Sequence, residues 1–233
     1  MEYQPRIVDR LLKELLSGTR AVSIEGPRGV GKTSTGLQLA NSIVRLDDPA
    51  MRAVVSADHQ AYLRNLAPPV LIDEWQLDPP IWDAVRRLVD EEKAKGRFLL
   101  TGSANPGDTR IHSGAGRFLR LRMRPLAFSE RALMEPTVSL AELWNGSDQV
   151  TGTSQITLLD YAQEIVDSGF PGIRPEPPRI RAAALTDYLN YALEHEVSAL
   201  GGPQRRPLAL RHWLRAYAAA SSGVASYDAI SRR

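Results

Sequence analysis

The chain has no cysteine, which excludes disulfide staples and thiolate-bound metal and fits a reducing compartment. Lysine is nearly as scarce: it stands only at 13, 32, 93 and 95, so 25 of the 29 basic residues are arginine. No apolar run approaches the ~18 residues that a membrane-spanning helix needs. Residues 1–10 lack the basic-then-apolar order of a secretory signal. Asn145, in Asn-Gly-Ser, therefore reads as a loop residue, and the cytoplasm is the expected location. The four histidines (59, 112, 195, 212) show no metal-ligand spacing. Leu-Glu-His-Glu-Val around His195 has no second histidine four residues on, which excludes a zinc-protease helix.

What is present is the composition of a globular protein: 233 residues, 43% hydrophobic and 24% charged, with a net charge of only +2. That length can bury a sizeable core. The charge is unevenly spread. Five arginines (110, 117, 120, 122, 124) stand between Arg110 and Arg124 without an acidic residue, and nine arginines face five acids from Pro171 onward. Arginine clusters of this kind meet the phosphates of nucleotides or nucleic acids, although a GC-rich genome produces arginine bias with no function attached.

Hydrophobic periodicity orders the chain. Ile7, Val8, Leu11, Leu12, Leu15 and Leu16 share a face of an expected first helix, with Pro5 in its first turn and Gly18 at its stop. Ala21–Glu25 is a short apolar strand, followed by a glycine loop and a helix expected from Lys32 to about Asn41. Further strands are expected at Ser42–Leu46, Val70–Asp73 and Arg97–Ser103, with an alternating, less buried one at Phe118–Met123; a helix is expected over Pro80–Lys95. Strands alternating with helices predict an α/β fold with a parallel sheet covered on both faces. The polar stretch Asn145–Gln155 reads as a boundary, and residues 156–220 as helices only. The expected domains are thus a nucleotide-binding core over 1–150 and a helical lid subdomain over 151–221.

The chemistry is concentrated at the loop. Ser23–Ser34 fits G-x-x-x-x-G-K-[ST] through Gly26, Gly31, Lys32 and Thr33, between an apolar strand and a helix, the context that gives this motif its meaning. Gly26, Pro27, Arg28, Gly29, Val30, Gly31, Lys32, Thr33 and Ser34 form the expected phosphate cradle, in which backbone amides and the helix N-terminus attract the anion. Lys32 adds a point charge, and the Thr33 hydroxyl suits Mg²⁺. Val70–Asp73 runs into Glu74. Asp73 is expected to serve the metal, and Glu74 to orient and polarise the attacking water. An acid pair after a further strand points to hydrolysis of ATP. A GTPase would show an acid two residues before a glycine and an Asn-Lys-x-Asp base reader, neither of which is present. Small-molecule kinases usually lack the acid pair. Ser103 or Asn105, with Ser103 favoured, is placed to sense the γ-phosphate, while Arg117 after Gly114-Ala115-Gly116 is either a guanidinium delivered to developing charge or a surface arginine. Trp75 and Trp82 read as packing.

These motifs (YQPRIVDRLL, GPRGVGKTS, LDDP, VLIDEWQ, RFLLTGSAN, GAGR, RPLAFSE and SGFPG) occur in an order that resembles the bacterial and archaeal AAA-type ATPases with a C-terminal domain of unknown function. The resemblance spans about residues 3–173 and implies phosphate binding at Gly31, Lys32 and Thr33, metal and water handling at Asp73 and Glu74, and γ-phosphate sensing near Ser103. Arg117 falls at the family's Gly-Arg position. Gly114 departs from the usual leucine there. The resemblance also implies that residues 222–233 begin a winged-helix region that the chain does not complete. An ATP-hydrolysing switch or motor, with ATP and Mg²⁺ as ligands and homo-oligomers as a possible form, is the leading expectation. An ATP-gated nucleic-acid-binding regulator with little turnover of its own is the alternative, and the expected partner beyond nucleotide is a DNA or protein client reached through the missing region.

Overall fold

The computed structural model describes residues 3–102, 116–148, 150–196 and 207–221, together with residues 223, 224, 226 and 228. Ser103, Asn105, Gly114 and most of residues 222–233 lie outside the described residues. The chain divides into two compact units, Met1–Pro175 and Glu176–Arg233.

In the first unit, strands β1 (Ala21–Glu25), β2 (Ser42–Arg45), β3 (Val70–Asp73), β4 (Phe98–Gly102) and β5 (Phe118–Arg122) form one sheet in the order β2-β3-β4-β1-β5. Every pairing is parallel. The period-2 alternation of strand side chains splits the core into two layers. Val70, Ile72, Phe98 and Leu100 pack on one face with Ile81, Val85, Leu88 and Val89 of α5 (Pro80–Glu91). Leu71, Leu99, Val22 and Ile24 pack on the other with Leu12 and Leu16 of α1 (Ile7–Gly18). β3 and β4 are buried throughout because neighbours and helices cover them on every side. β5, at the edge, buries only Phe118 and Leu121.

Several elements differ from expectation. The apolar face of α1 is narrower than its pattern: Ile7 is 64% and Leu11 44% exposed. The helix also starts one residue after Arg6, whose backbone N–H is capped by the Asp9 carboxylate at 2.8 Å. The helix after the glycine loop, α2, spans only Lys32–Leu37. Leu39 and Ala40 both donate to the Gly36 carbonyl, and the chain turns so that the Asn41 N–H reaches Pro69. α5 stops at Glu91 rather than Lys95, because Glu92 turns to extended backbone. Two helices, α3 (Pro49–Ala57) and α4 (His59–Arg64), fill the connection from β2 to β3. Asp48 and Asp58 cap them, their carboxylates accepting from the Ala50 and Ala61 N–H groups.

Beyond β5 come the short helix α6 (Leu140–Trp144) and α7 (Leu158–Asp167). Within the first unit α7 is held by charge: Glu164 is clasped by Arg131 at 2.9 Å and Arg174 at 2.6 Å. In the second unit, α8 (Pro178–Tyr191) ends in a π-turn over Ala192–Glu196, and α9 spans Pro207–Ala219. The Arg211 side chain donates to the Asn190 side chain, holding α9 to α8.

Candidate active site

The glycine loop leaves the C-terminal end of β1 at the middle of the sheet, flanked by β4 and β5. Two glycines are obligatory. Gly26 has φ +154°, and a Cβ there would overlap the Met123 carbonyl oxygen. Gly31 has φ +97° and caps the start of α2, a left-handed conformation that side chains other than Gly avoid. Between them Pro27, Arg28 and Gly29 are exposed, whereas Val30 is fully buried and anchors the loop in the α1-side core. Val30 can therefore meet a phosphate only through its backbone. Lys32 is 5% exposed and folds across the loop, its Nζ donating to the Gly26 and Pro27 carbonyls at 2.9 Å each. Ser34 is exposed on the first turn of α2.

The acidic strand meets the loop at one carboxylate. Oδ1 of Asp73, 7% exposed, accepts from the Thr33 hydroxyl at 2.7 Å and also from the Thr101 hydroxyl of β4. Thr101, 1% exposed, was not singled out from the sequence. Its only signal is its place in Leu-Leu-Thr-Gly-Ser, and parallel pairing of β3 with β4 is what brings it beside Asp73. The junction is made of oxygen donors, one carboxylate and two hydroxyls, which suits a hard cation such as Mg²⁺. Among the described residues no three acidic or histidine side chains cluster tightly enough to hold a metal by themselves. Mg²⁺ sites in nucleotide proteins are of that kind, since the substrate phosphates and water complete the shell.

Glu74 follows with φ +54° and ψ +45°, a left-handed conformation that costs a non-glycine residue about 1–2 kcal/mol. It is held there from several sides. Trp75, 1% exposed, packs on Trp82, which stacks on Phe118 at 4.3 Å. Asp78 accepts from Ser56 at 2.7 Å and is bonded to the His59 Nε2 at 2.8 Å, which fixes the far end of the short turn Trp75–Leu77. The Gln76 amide donates to the Glu74 carboxylate. Glu74 lines a cavity of about 590 Å³ together with Arg28, Lys32, Thr33, Ser34 and Asp47. A second cavity of about 350 Å³ shares Gly31 and Ser34 with the first and is walled by Tyr3, Gln4, Arg6 and Leu37. Tyr3 donates to Asp9 at 2.6 Å, and burial together with that carboxylate pushes its phenol up to about 12.

A buried arginine supports the loop from beneath. Arg6 donates to the Val30 carbonyl at 2.8 Å and to the Arg124 carbonyl at 2.8 Å, and its Nε pairs with Glu130 at 3.1 Å. Burial pushes the Glu130 carboxyl up, but Arg6 and the N–H groups of Ala127 and Ile7 outweigh it and hold the acid below its usual range.

Arg117 is not brought to the loop of its own chain. It precedes β5, whose Phe118 pairs with Ala21 at the opposite end of the strands. Six strand residues at ~3.3 Å each put it roughly 20 Å from Gly26, beyond the reach of one side chain. It pairs instead with Asp90 of α5 at 2.6 Å. Of the two roles open to Arg117, delivery to the loop of its own chain does not fit this strand register. Within the arginine cluster, Arg120 also lies 3.4 Å from the Glu25 carboxylate.

A glycine loop between the first strand and its helix, in a parallel sheet with helices on both faces, is the P-loop arrangement. Residues 18–132 match the AAA domain family. Two curated mycobacterial proteins, "Uncharacterized protein Mb2031c" of Mycobacterium bovis and "Uncharacterized protein Rv2008c" of Mycobacterium tuberculosis, are each 33% identical over 98 residues, 41% of this chain. The matched stretch spans only 22% of the length of those relatives. A solved structure, the Walker-type ATPase PABY2304 of Pyrococcus abyssi, aligns with 99% of this chain and 87% of its own at 14% identity and a TM-score of 0.45. No helix among the described residues is long and apolar enough to cross a membrane. The fold and glycine loop are those of a P-loop domain, and over residues 18–132 the chain matches the AAA domain family.

Proposed function

We propose that the protein binds ATP with Mg²⁺ and hydrolyses it, using the cycle as a molecular switch or motor. The observation that carries this is the single junction at which Thr33 of the loop, Asp73 of β3 and Thr101 of β4 meet, with Glu74 facing the same cavity as Lys32. In this reading Gly26–Ser34 cradles the phosphates, and Lys32 exchanges its two carbonyl partners for β- and γ-phosphate oxygens. Thr33 and Asp73 hold the metal, which supplies charge neutralisation at the phosphates. The cavity beside Tyr3, Gln4 and Leu37 takes the nucleoside.

Glu74 accepts a proton from water as the water oxygen attacks the γ-phosphorus. The bond from that phosphorus to the β–γ bridging oxygen breaks, ADP departs with the electron pair, and Glu74 returns its proton to solvent. Ser103 remains the proposed γ-phosphate sensor. Arg117, too far from its own loop, is proposed to act on the site of a second copy of the chain.

The test is ATP turnover per subunit across a range of protein concentrations. A rate that rises with concentration, and that Arg117→Ala abolishes in its rise, supports a site completed by another subunit. A flat rate, insensitive to Arg117→Ala, contradicts that role for Arg117. Free phosphate must be the product; phosphate appearing on an acceptor would contradict hydrolysis.

A further inference from the structure

We infer that Gln76 is a positioning residue for Glu74, a latch that fixes the direction of its carboxylate. The inference rests on the hydrolytic reading above. The short turn after β3 places both ends of the Gln76 side-chain amide at consequential points. Its Nε2 donates to Oε2 of Glu74, and because each carboxylate oxygen has two acceptor directions, the other oxygen is left for water. Its Oε1 is buried and has no hydrogen-bond partner among the described residues. That oxygen lies against Gly102, the last residue of β4, where a Cβ would collide with it and would stand 2.8 Å from Nε1 of Trp75.

A buried amide oxygen without a partner costs stability. Leucine, of similar size, would fill the same space without that cost. The turn itself gains nothing from a polar group there: Trp75 already anchors it in the core and Asp78 is held by Ser56 and His59. What the amide alone supplies is the hydrogen bond to Glu74, the residue that opens the short turn Trp75–Leu77 in a left-handed backbone conformation. The absence of a side chain at Gly102 keeps the space that the latch needs.

The test uses Gln76→Leu and Gly102→Ala in the full chain, with ATP affinity, KM, kcat and melting temperature measured together. The latch predicts that Gln76→Leu keeps ATP affinity and KM within about twofold, does not lower the melting temperature, and reduces kcat by about 10- to 100-fold, the range expected when a reacting group is misplaced by about an ångström. Gly102→Ala, which displaces the amide, shifts kcat the same way. Unchanged kcat in Gln76→Leu overturns the latch. So does a loss of kcat that comes with weaker ATP binding and a lower melting temperature, the signature of a merely structural residue.

A second readout does not depend on turnover. In the ¹H–¹⁵N spectrum one Gln76 side-chain amide proton is shifted downfield by the carboxylate, and Glu74→Ala returns it to the range of exposed glutamines. A Gln76 signal that ignores Glu74→Ala overturns the latch. If the wild type turns over no ATP, the hydrolytic reading is the one that fails, and the amide signal then decides the latch.

Discussion

Replacing Arg6 with methionine removes one guanidinium from beneath the phosphate loop and keeps the hydrophobic stem. Three attachments go at once: the bonds to the Val30 and Arg124 carbonyls, both 2.8 Å, and the pair with Glu130, in which the two side chains are 5% and 6% exposed. Breaking one side of a buried pair costs about 3–5 kcal/mol, since the remaining charge is stranded. Glu130 keeps the N–H groups of Ile7 at 2.7 Å and Ala127 at 2.6 Å, so the low end applies, about 3 kcal/mol. With a urea dependence of about 2 kcal/mol per molar, the unfolding midpoint falls by about 1.5 M. Urea unfolding of Arg6→Met followed by tryptophan fluorescence measures it, because Trp75 and Trp82 are buried in this unit. Adding Glu130→Gln to Arg6→Met removes the stranded charge and recovers part of the loss, a non-additivity that only a direct pair produces. A midpoint unchanged by Arg6→Met, or a double variant weaker by the sum of the singles, would mean that the Arg6–Glu130 pair does not support the loop.

Three further outcomes follow from named contacts. Lys32→Ala removes the cation that crosses the loop and weakens ATP binding by about tenfold or more in calorimetry, the ~1.4 kcal/mol of a charge-assisted hydrogen bond; unchanged affinity would count against the cradle. Gly26→Ala places a Cβ on the Met123 carbonyl oxygen and lowers the melting temperature clearly, whereas alanine at the open Gly18 leaves it nearly unchanged. Acid stability depends on Glu164, whose carboxyl Arg174, and to a smaller extent Arg131, hold below its ordinary 4.5 against the opposing effect of burial. Because its folded value is depressed, the stabilisation is complete above the ordinary value and is lost as pH falls through the folded one. Glu164→Gln therefore flattens the decline in melting temperature below about pH 4.5; a decline as steep as in the wild type would contradict the clasp.

The elements legible in the sequence are those specified locally. β1, β3 and β4 stand at the centre of the sheet, and their short, mostly apolar runs announce burial on both faces. The glycine loop is written in backbone requirements that only glycine meets at 26 and 31. Asp73 and Glu74 show as acids where an apolar strand ends. What stays hidden is whatever depends on pairing between distant segments. Thr101 reaches Asp73 only because β4 adds beside β3. Arg6 resembles any surface arginine until Glu130 is folded over it, 124 positions away. Arg117 is placed at the wrong end of the sheet for its own loop by a register that its glycine-rich context does not encode. The polar stretch Asn145–Gln155 marks a change of composition, but compactness follows contacts, and Arg131, Glu164 and Arg174 keep α7 with the first unit.

In the proposed reaction Glu74 activates water for an ATP held by the loop. Glu74→Gln tests it most directly, with ATP binding and phosphate release measured on the same preparation. Glutamine keeps the shape and removes the proton acceptor, so the expected outcome is wild-type affinity for ATP with Mg²⁺ and a rate lowered by about 100-fold or more. Phosphate release at the wild-type rate from a Glu74→Gln protein that binds ATP normally would contradict it.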